Sequence, residues 1–256
     1  MNSNVISKTF SILRAFTDIQ NEWGVNELSR YLKMPVSSTH RMISMLKDEH
    51  ILEYSELTNK YRVGSDFIRM ASIVSTNVDV KRVARPQLES LASELRHSVY
   101  FGLYYPQHTK LSFVDSVKSS FALQYVLEIG VLQPVHIAAS GKTILAYLSD
   151  SEIEDVFDKE GESQDKRNEI KEELKKIKSQ GYAITANERK EGALSIGAPI
   201  FDAGSKVIGS IICVIPIGDY QKEFEGSYIE KIKEAALNIS YKLGYRKVER
   251  REDSIE

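Results

Sequence analysis

The segment from Val25 to Gly64 restricts the possible folds more than any other part of the chain. Apolar side chains recur at helical spacing from Val25 to Leu32 and predict a short helix. Pro35 follows, and proline is favoured at the first position of a helix because its missing amide is not needed there. We therefore expect a further helix from Pro35 to about Asp48. Two short helices joined by a turn of a few residues form a helix-turn-helix.

A preceding helix is predicted over residues 5–20, followed by a turn at residues 21–24. Its apolar stripe consists of Ile6, Phe10, Leu13 and Phe16. The helix that begins at Pro35 is expected to bury Met42, Ile43, Met45 and Leu46.

Two alternating runs then predict a β-hairpin around a polar turn at residues 55–59. The apolar face of this hairpin is expected to consist of Leu52, Tyr54, Tyr61 and Val63. Lys60 and Arg62 would then point outward, towards a phosphate backbone. Three helices followed by a hairpin form a winged helix-turn-helix.

The chemistry at the start of the third helix suits DNA. Ser37, Ser38 and Thr39 lie in its first turns, where free N–H groups and the helix dipole favour phosphate. Arg41 can contact guanine or phosphate with two hydrogen bonds. Alternatively, the serines could serve only as helix caps, and His40 could simply be exposed. The predicted DNA-binding residues are Lys8, Ser37, Ser38, Thr39, His40, Arg41, Lys47, Lys60 and Arg62.

Net charge alone does not indicate a nucleic-acid partner. The chain carries −2 overall, and residues 1–76 contain nine Lys and Arg against eight Asp and Glu. The stretch between Glu27 and Asp48 nevertheless contains four basic residues and no acidic one. Such a run fits either a DNA-binding face or a solvated helix face.

Residues 25–64 resemble the helix-turn-helix and wing of the IclR family of bacterial transcriptional regulators. From Pro35 to Arg41 the chain keeps the proline, the first serine, the histidine and the arginine of the family pattern Pro-Lys-Ser-Thr-Val-His-Arg. It departs at Val36, where a lysine is usual, and at His50, where a glycine is usual. We expect His50 to adopt a left-handed conformation.

The resemblance continues at residues 130–146 and 188–202. It implies an α+β protein, in which a winged helix-turn-helix is joined by a helical connector to a GAF-like α/β effector-binding domain. The boundaries predicted are 1–64 for the DNA-binding domain, 65–78 for the connector, 79–248 for the effector domain and 249–256 for a charged tail.

The second domain contains both helical and strand patterns. Ser65 can cap a helix over residues 66–76, Pro86 should kink or break a helix at 80–96, and Gly181 should end one at 165–180. Further helices are predicted at 140–148, after a capping box at 149–152, and at 220–245. Strands are predicted at 99–105, 111–117, 121–127, 193–201 and 206–215.

An enzyme is not expected. Gly141-Lys142-Thr143 looks like the end of a phosphate-binding loop, but His136 stands where the first glycine of that motif is required. The five histidines lack metal-ligand spacing, and Cys213 lies in a strongly apolar run typical of a core thiol. No cofactor is predicted.

The location predicted is the cytoplasm. The chain has one cysteine and therefore no internal disulfide, which fits a reducing compartment. Its longest apolar stretch, residues 207–218, is too short to span a bilayer, and no signal peptide is visible.

The resemblance places an effector pocket near residues 135–141, residues 188–195 and the last two strands. Backbone amides at the start of the helix could meet an anionic group. Ile212 and Val214 should share one face of the last strand, with Cys213 on the other. Plain core packing remains an alternative for each candidate. The candidate effector-binding residues are Tyr125, Ala139, Ser140, Gly141, Ser195, Ile212 and Val214.

The function predicted is a ligand-responsive DNA-binding regulator, in particular a repressor of metabolic genes. Its expected partners are double-stranded operator DNA, a small effector such as an organic acid or an aromatic metabolite, and further copies of the chain in a homodimer or a dimer of dimers. The alternative is a small-molecule-binding signalling module whose winged helix contacts protein instead of DNA.

Overall fold

A computed structural model describes residues 5–76, 79–118 and 127–246. The chain divides into two compact units, formed by the described residues up to 76 and by those from 79 onward. Tyr125 and all but the last residue of the strand predicted at 121–127 lie outside the described residues. Among the helices that are described, none is both long and apolar enough to cross a membrane.

The N-terminal unit has the predicted winged helix-turn-helix architecture. Its elements are α1 (Val5–Asp18), β1 (Glu22–Trp23), α2 (Val25–Leu32), α3 (Val36–Asp48), β2 (Leu52–Ser55), β3 (Lys60–Val63) and α4 (Ser65–Thr76). The three strands are antiparallel in the order β1-β3-β2. Pro35 lies immediately before α3 instead of at its first position, and its carbonyl accepts the Thr39 amide.

Helix α1 buries a different face from the predicted one. Ile12, Ala15 and Phe16 lie in the core, whereas Ile6 and Phe10 are more than half exposed. The predicted stripe is therefore wrong in its first half, because the small core of this unit reaches only the C-terminal half of α1.

The residues predicted as a turn at 21–24 include a short strand instead. Trp23 of β1 is buried and pairs with Tyr61 of β3. Its indole N–H donates to the carbonyl of Ala15, 3.0 Å away. This strand was missed because its two residues are too few to show a periodicity.

Two further residues predicted for the core are exposed. Met45 of α3 is 59% exposed, and Tyr54 of β2 is 40% exposed, with its ring centroid 5.1 Å from that of Tyr61. A three-helix unit of this size covers only one face of α3 and of the hairpin. Leu52, Met42 and Ile43 form that covered face.

The second unit places helices on both faces of an antiparallel sheet. Its elements are α5 (Val80–Leu95), β4 (Ser98–Tyr105), β5 (Lys110–Val117), β6 (Leu132–Pro134), α6 (Ala138–Leu145), α7 (Asp150–Glu160), α8 (Gln164–Gln180), β7 (Ala183–Ala186), β8 (Ala193–Phe201), β9 (Val207–Pro216) and α9 (Glu225–Lys242). The sheet order is β6-β5-β4-β9-β8-β7.

Most predicted boundaries in this unit hold to within a few residues. Ser149 caps α7 in a capping box with Glu152, and Gly181 ends α8 at a φ of 79°. Pro86 does not break α5, where it lies on the exposed side. The last predicted helix, at 220–245, begins only at Glu225, after two single-turn 3₁₀ helices.

The central strands bury both of their faces. One face packs in a cluster with α6, α7 and α8 and includes Tyr100, Ile212 and Val214. The other packs against α5 and α9 and includes Cys213. Ile212 and Val214 therefore share a face, with Cys213 opposite, as the alternation predicts.

Candidate functional site

The turn between α2 and α3 is fixed by local hydrogen bonds. Lys33 ends α2 in the left-handed region, at a φ of 53°. The buried Ser29 hydroxyl donates to the carbonyl of Met34 at 2.6 Å. These contacts satisfy the end of α2 and set where α3 begins.

Helix α3 presents most of the predicted DNA-binding side chains to solvent. Ser37, His40, Arg41 and Lys47 are exposed, and Ser38 is partly buried. No side chain of the described residues caps the first turn of α3. Its free amides and serine hydroxyls are therefore open to phosphate.

The prediction that Thr39 contacts DNA is wrong. Its side chain is fully buried, and its hydroxyl donates to the carbonyl of Pro35 at 3.1 Å. A phosphate contact from Thr39 is excluded because the hydroxyl faces the core of the unit and is used within its own helix.

The basic residues of the hairpin already have carboxylate partners. The Lys60 ammonium lies 3.0 Å from Glu27, and the Arg62 guanidinium lies 2.6 Å from Glu53. Hydrogen bonds from Gln20 and Lys60 lower the pKa of Glu27, so it is ionised at neutral pH. Both pairs are exposed, and such pairs contribute at most about 1 kcal/mol. Phosphate could therefore replace either carboxylate at little cost.

His50 adopts the predicted left-handed conformation, with a φ of 55°. A Cβ built on Gly64 would lie 2.3 Å from the His50 carbonyl oxygen. The glycine at the end of the hairpin therefore allows the two segments to approach closely. The remaining predicted contact, Lys8 on α1, is partly buried.

A small cavity in the second unit lies where the effector site was predicted. It is bounded by the start of α6, the last two strands and the loop before β8, and encloses about 10 Å³. This is room for about one water molecule. The lining residues are Leu127, Ala138, Ser140, Thr185, Glu188, Arg189, Lys190, Ala193, Ser195, Ile212 and Val214.

The sheet forms the floor of this cavity. Ser195 of β8 lies opposite Val214 of β9, and Gly197 lies opposite Ile212. The Ser195 hydroxyl forms no hydrogen bond with a described residue. Cys213 points to the other face, where complete burial raises the pKa of its thiol. The floor residues Ser195, Ile212 and Val214 were all predicted as effector-binding candidates.

The N-terminus of α6 is not free to bind an anion. The Ala138 amide donates to a Glu188 carboxylate oxygen, and the Ala139 amide donates to the Thr185 hydroxyl, both at 2.9 Å. The predicted anion contact of the Ala139 amide is therefore wrong, because the Thr185 hydroxyl already occupies that amide.

The prediction that Ala139 and Gly141 bind the effector is also wrong. Both are buried, and neither lines the cavity. A Cβ built on Gly141 would lie 2.3 Å from the Val135 carbonyl oxygen. This glycine therefore serves close backbone packing. Of the three α6 candidates, Ser140 alone reaches the cavity wall.

Lys142 has a structural role. Its side chain is 7% exposed, and its ammonium lies 2.7 Å from both Glu173 of α8 and Glu188 of the loop. Two carboxylates compensate this buried charge, which explains how a lysine can lie inside α6 without a phosphate.

Arg189 is held differently. Its guanidinium donates to Gln133 at 2.8 Å, to the carbonyls of Pro134 at 3.1 Å and Ile137 at 2.9 Å, and to the Ser140 hydroxyl at 3.4 Å. Its buried Nε has no acceptor among the described residues. Burial lowers the pKa of Arg189 to about 10, against a smaller raising effect from Glu188.

Sequence reasoning identified the segment but not the residues that hold this cavity closed. Thr185, Glu188 and Arg189 lie 46 to 52 residues from their partners at the start of α6. The polar run after β7 is indistinguishable in the sequence from a solvated loop. In the described part of the chain, no group of three or more His, Cys, Asp or Glu side chains could hold a metal ion.

Comparisons with known proteins cover both units. The family model of the IclR helix-turn-helix domain matches residues 5–56, and that of the bacterial transcriptional regulator IclR C-terminal matches residues 72–241. The HTH-type transcriptional regulator KdgR of Dickeya chrysanthemi is 25% identical over 249 residues, 94% of this chain and 80% of that protein.

The HTH-type transcriptional regulator KipR of Bacillus subtilis strain 168 is also 25% identical, covering 95% of this chain and 98% of its own length. Among solved structures, Pseudomonas aeruginosa HmgR superposes with a TM-score of 0.71 at 21% identity, covering 94% and 98% of the two chains. This last likeness shows that the fold is shared.

Proposed function

Since this chain belongs to the IclR family of DNA-binding transcriptional regulators, which carry an effector-binding domain and are not enzymes, we propose that it is a cytoplasmic repressor of metabolic genes. In this proposal a small organic acid or aromatic metabolite binds the second unit and alters the affinity for operator DNA. A coupling of about 1–3 kcal/mol would change operator occupancy about 5- to 150-fold.

The solvent-facing side of α3 carries the proposal for DNA contact. Ser37, His40, Arg41 and Lys47 are exposed on it, and the first turn has no side-chain cap. A helix of this kind fits the major groove, with its N-terminal residues at the base edges. We assign Arg41 the principal base or phosphate contact, because guanidinium can donate two parallel hydrogen bonds.

Substitution of Arg41 tests this assignment. Arg41→Ala should weaken specific DNA binding about 5- to 150-fold, the equivalent of about 1–3 kcal/mol. Genomic fragments retained by the purified protein would supply the DNA for a gel-shift titration. Arg82→Ala is the matched control, since it removes an exposed arginine from α5 of the second unit. Equal affinity of the Arg41 variant and the wild type would refute the assignment.

The salt dependence distinguishes DNA contact from the alternative of protein contact. A DNA-binding surface releases counterions, so its affinity falls steeply as salt rises. Binding that scarcely changes between low and physiological salt would favour a winged helix that contacts protein.

We further propose that two N-terminal units form the dimer that places two α3 helices about 34 Å apart in successive major grooves. Large apolar side chains remain exposed on this unit, at Val5, Ile6 and Phe10 of α1 and at Ile68 and Ile73 of α4. Such patches are typical of interaction surfaces. Phe10→Asp should then yield monomers in analytical ultracentrifugation, and an unchanged mass would contradict this interface. In the same experiment, the wild type is expected to form a larger assembly in which two dimers pair through their effector domains.

A further inference from the structure

The loop between β7 and β8 holds a partly buried positive charge, with its Nε fully buried, over the effector cavity. Arg189 lies on this loop, lines the cavity and reaches the start of α6. All of its hydrogen-bond acceptors that the structure describes are neutral: an amide oxygen, two carbonyls and a hydroxyl. These acceptors fix the position of the guanidinium without neutralising it.

Comparison with Lys142 shows that a positive charge with only neutral hydrogen-bond partners is unusual within this site. Lys142 has two carboxylate partners at 2.7 Å, one of them Glu188, the residue next to Arg189. No carboxylate of the described residues forms an ion pair with Arg189 itself. Arg189 is only partly buried, but its withdrawal from water still carries a desolvation cost that a charged partner would offset.

Arg189 also keeps an unused hydrogen-bond donor. Its Nε is buried and has no acceptor among the described residues. A guanidinium can bind a carboxylate through two parallel N–H donors, and these charge-assisted bonds are about twice as strong as neutral ones. A carboxylate that reached this position would supply both the missing charge and the missing acceptor.

On this basis we infer that Arg189 recognises the effector, and that the effector is a small organic monoanion whose carboxylate pairs with this guanidinium. The inference rests on the proposed effector function of the cavity. Other lining residues limit the ligand body: Leu127, Ile212 and Val214 supply apolar walls, and the Ser195 hydroxyl offers one further hydrogen bond. The lining also includes the carboxylate of Glu188, which is already paired with Lys142 and with the Ala138 amide.

The same geometry suggests how binding is coupled to a change in shape. The cavity encloses only about 10 Å³, so a carboxylic acid enters only if a wall moves. The loop at residues 187–192 is held to α6 through Glu188 and to the residues before α6 through Arg189. A ligand that pairs with Arg189 replaces some of these bonds and thereby releases the loop.

Matched acids and amides test the inference, since each pair differs little in shape but differs in charge. Butyrate with butyramide and benzoate with benzamide would be titrated into the full-length protein by isothermal titration calorimetry. We expect at least one acid to bind the wild type about 10-fold or more tightly than its amide, as a charge-assisted pair implies. Arg189→Gln should bring that ratio to about 1.

Lys176→Gln is the matched control, because it removes one exposed positive charge from α8 in the same unit. It should leave the acid-to-amide ratio unchanged. A merely structural role of Arg189 would weaken acid and amide alike, and would leave the ratio of the folded Arg189→Gln protein at the wild-type value. That result would overturn the inference, as would a wild type that does not prefer any acid to its amide.

If circular dichroism shows that Arg189→Gln does not fold, Arg189→Lys replaces it as the test variant. It keeps the charge but not the planar fork, so the acid preference should persist with affinity reduced about 10-fold. Unreduced affinity would contradict recognition by the fork. Gel shifts on genomic fragments are run in parallel. DNA binding without Arg189-dependent selectivity rejects this inference alone, whereas selectivity without DNA binding rejects the proposed DNA contact alone.

Discussion

Replacing Gly141 with alanine should destabilise the second unit severely. The new Cβ would lie 2.3 Å from the Val135 carbonyl oxygen and 2.6 Å from its carbonyl carbon. Ordinary van der Waals contact begins near 3.4 Å, so α6 and the Val135 backbone must separate by about 1 Å. Both obstructing atoms belong to the main chain and cannot rotate away as a side chain would.

The expected cost follows from this geometry. Overpacking of a core costs about 1–3 kcal/mol, and a clash with backbone belongs at the upper end of that range. A loss of about 3 kcal/mol in a domain of this size lowers Tm by about 6–12 °C. Thermal unfolding followed by circular dichroism or calorimetry would measure it.

Gly218→Ala is the control for this substitution. A Cβ at Gly218 meets nothing within 4 Å, and its φ is not in the left-handed region. Its Tm should stay close to that of the wild type. The packing argument would fail if Gly141→Ala unfolded at the wild-type temperature. Loss of effector binding at an unchanged Tm would instead restore Gly141 as a ligand contact.

Three further outcomes follow from the structure. Trp23→Phe removes the indole donor to the Ala15 carbonyl and should lower the free energy of unfolding by about 1–3 kcal/mol in a urea titration. Burial lowers the pKa of His136 below its ordinary 6.5, so protonation favours the unfolded chain. The free energy of unfolding should therefore decline as pH falls through 6.5, and His136→Gln should make that decline shallower. An equal slope in the variant would show that His136 is not the group responsible. Ala138 has a φ of 64°, so Ala138→Gly should be neutral or up to about 1 kcal/mol stabilising. Ala139→Gly, in the buried helix, should destabilise the protein. A higher Tm for Ala139→Gly than for Ala138→Gly would contradict the backbone argument.

The winged helix-turn-helix could be predicted because its signals are local. Pro35 marks the start of α3, helical spacing marks α2, and alternation marks the hairpin at residues 52–63. His50 was correctly placed in the left-handed region from the family pattern alone. Which face of α1 is buried could not be predicted, because Ile6 and Phe10 continue an apolar stripe that the small core does not reach.

The effector site was predictable only in part. Alternation placed Ile212 and Val214 together on one face of β9, and the resemblance added Ser195. The start of α6 was expected to be open to an anion, yet Glu188 fills it from 50 residues away. The sequence around a carboxylate in a polar loop does not indicate which distant helix that carboxylate will cap.

The sequence by itself determined the winged helix-turn-helix, most of the helices and the four long strands of the second sheet, because periodicity, proline and glycine act over a few neighbouring residues. It did not reveal the short strands β1, β6 and β7. Tertiary structure alone decided which polar groups meet. It withdrew Thr39 from the DNA-facing surface, paired Lys142 with two carboxylates and left Arg189 over the cavity with neutral partners. Charge and hydrogen-bond compensation depends on distances in space, and these are set only when distant segments pack.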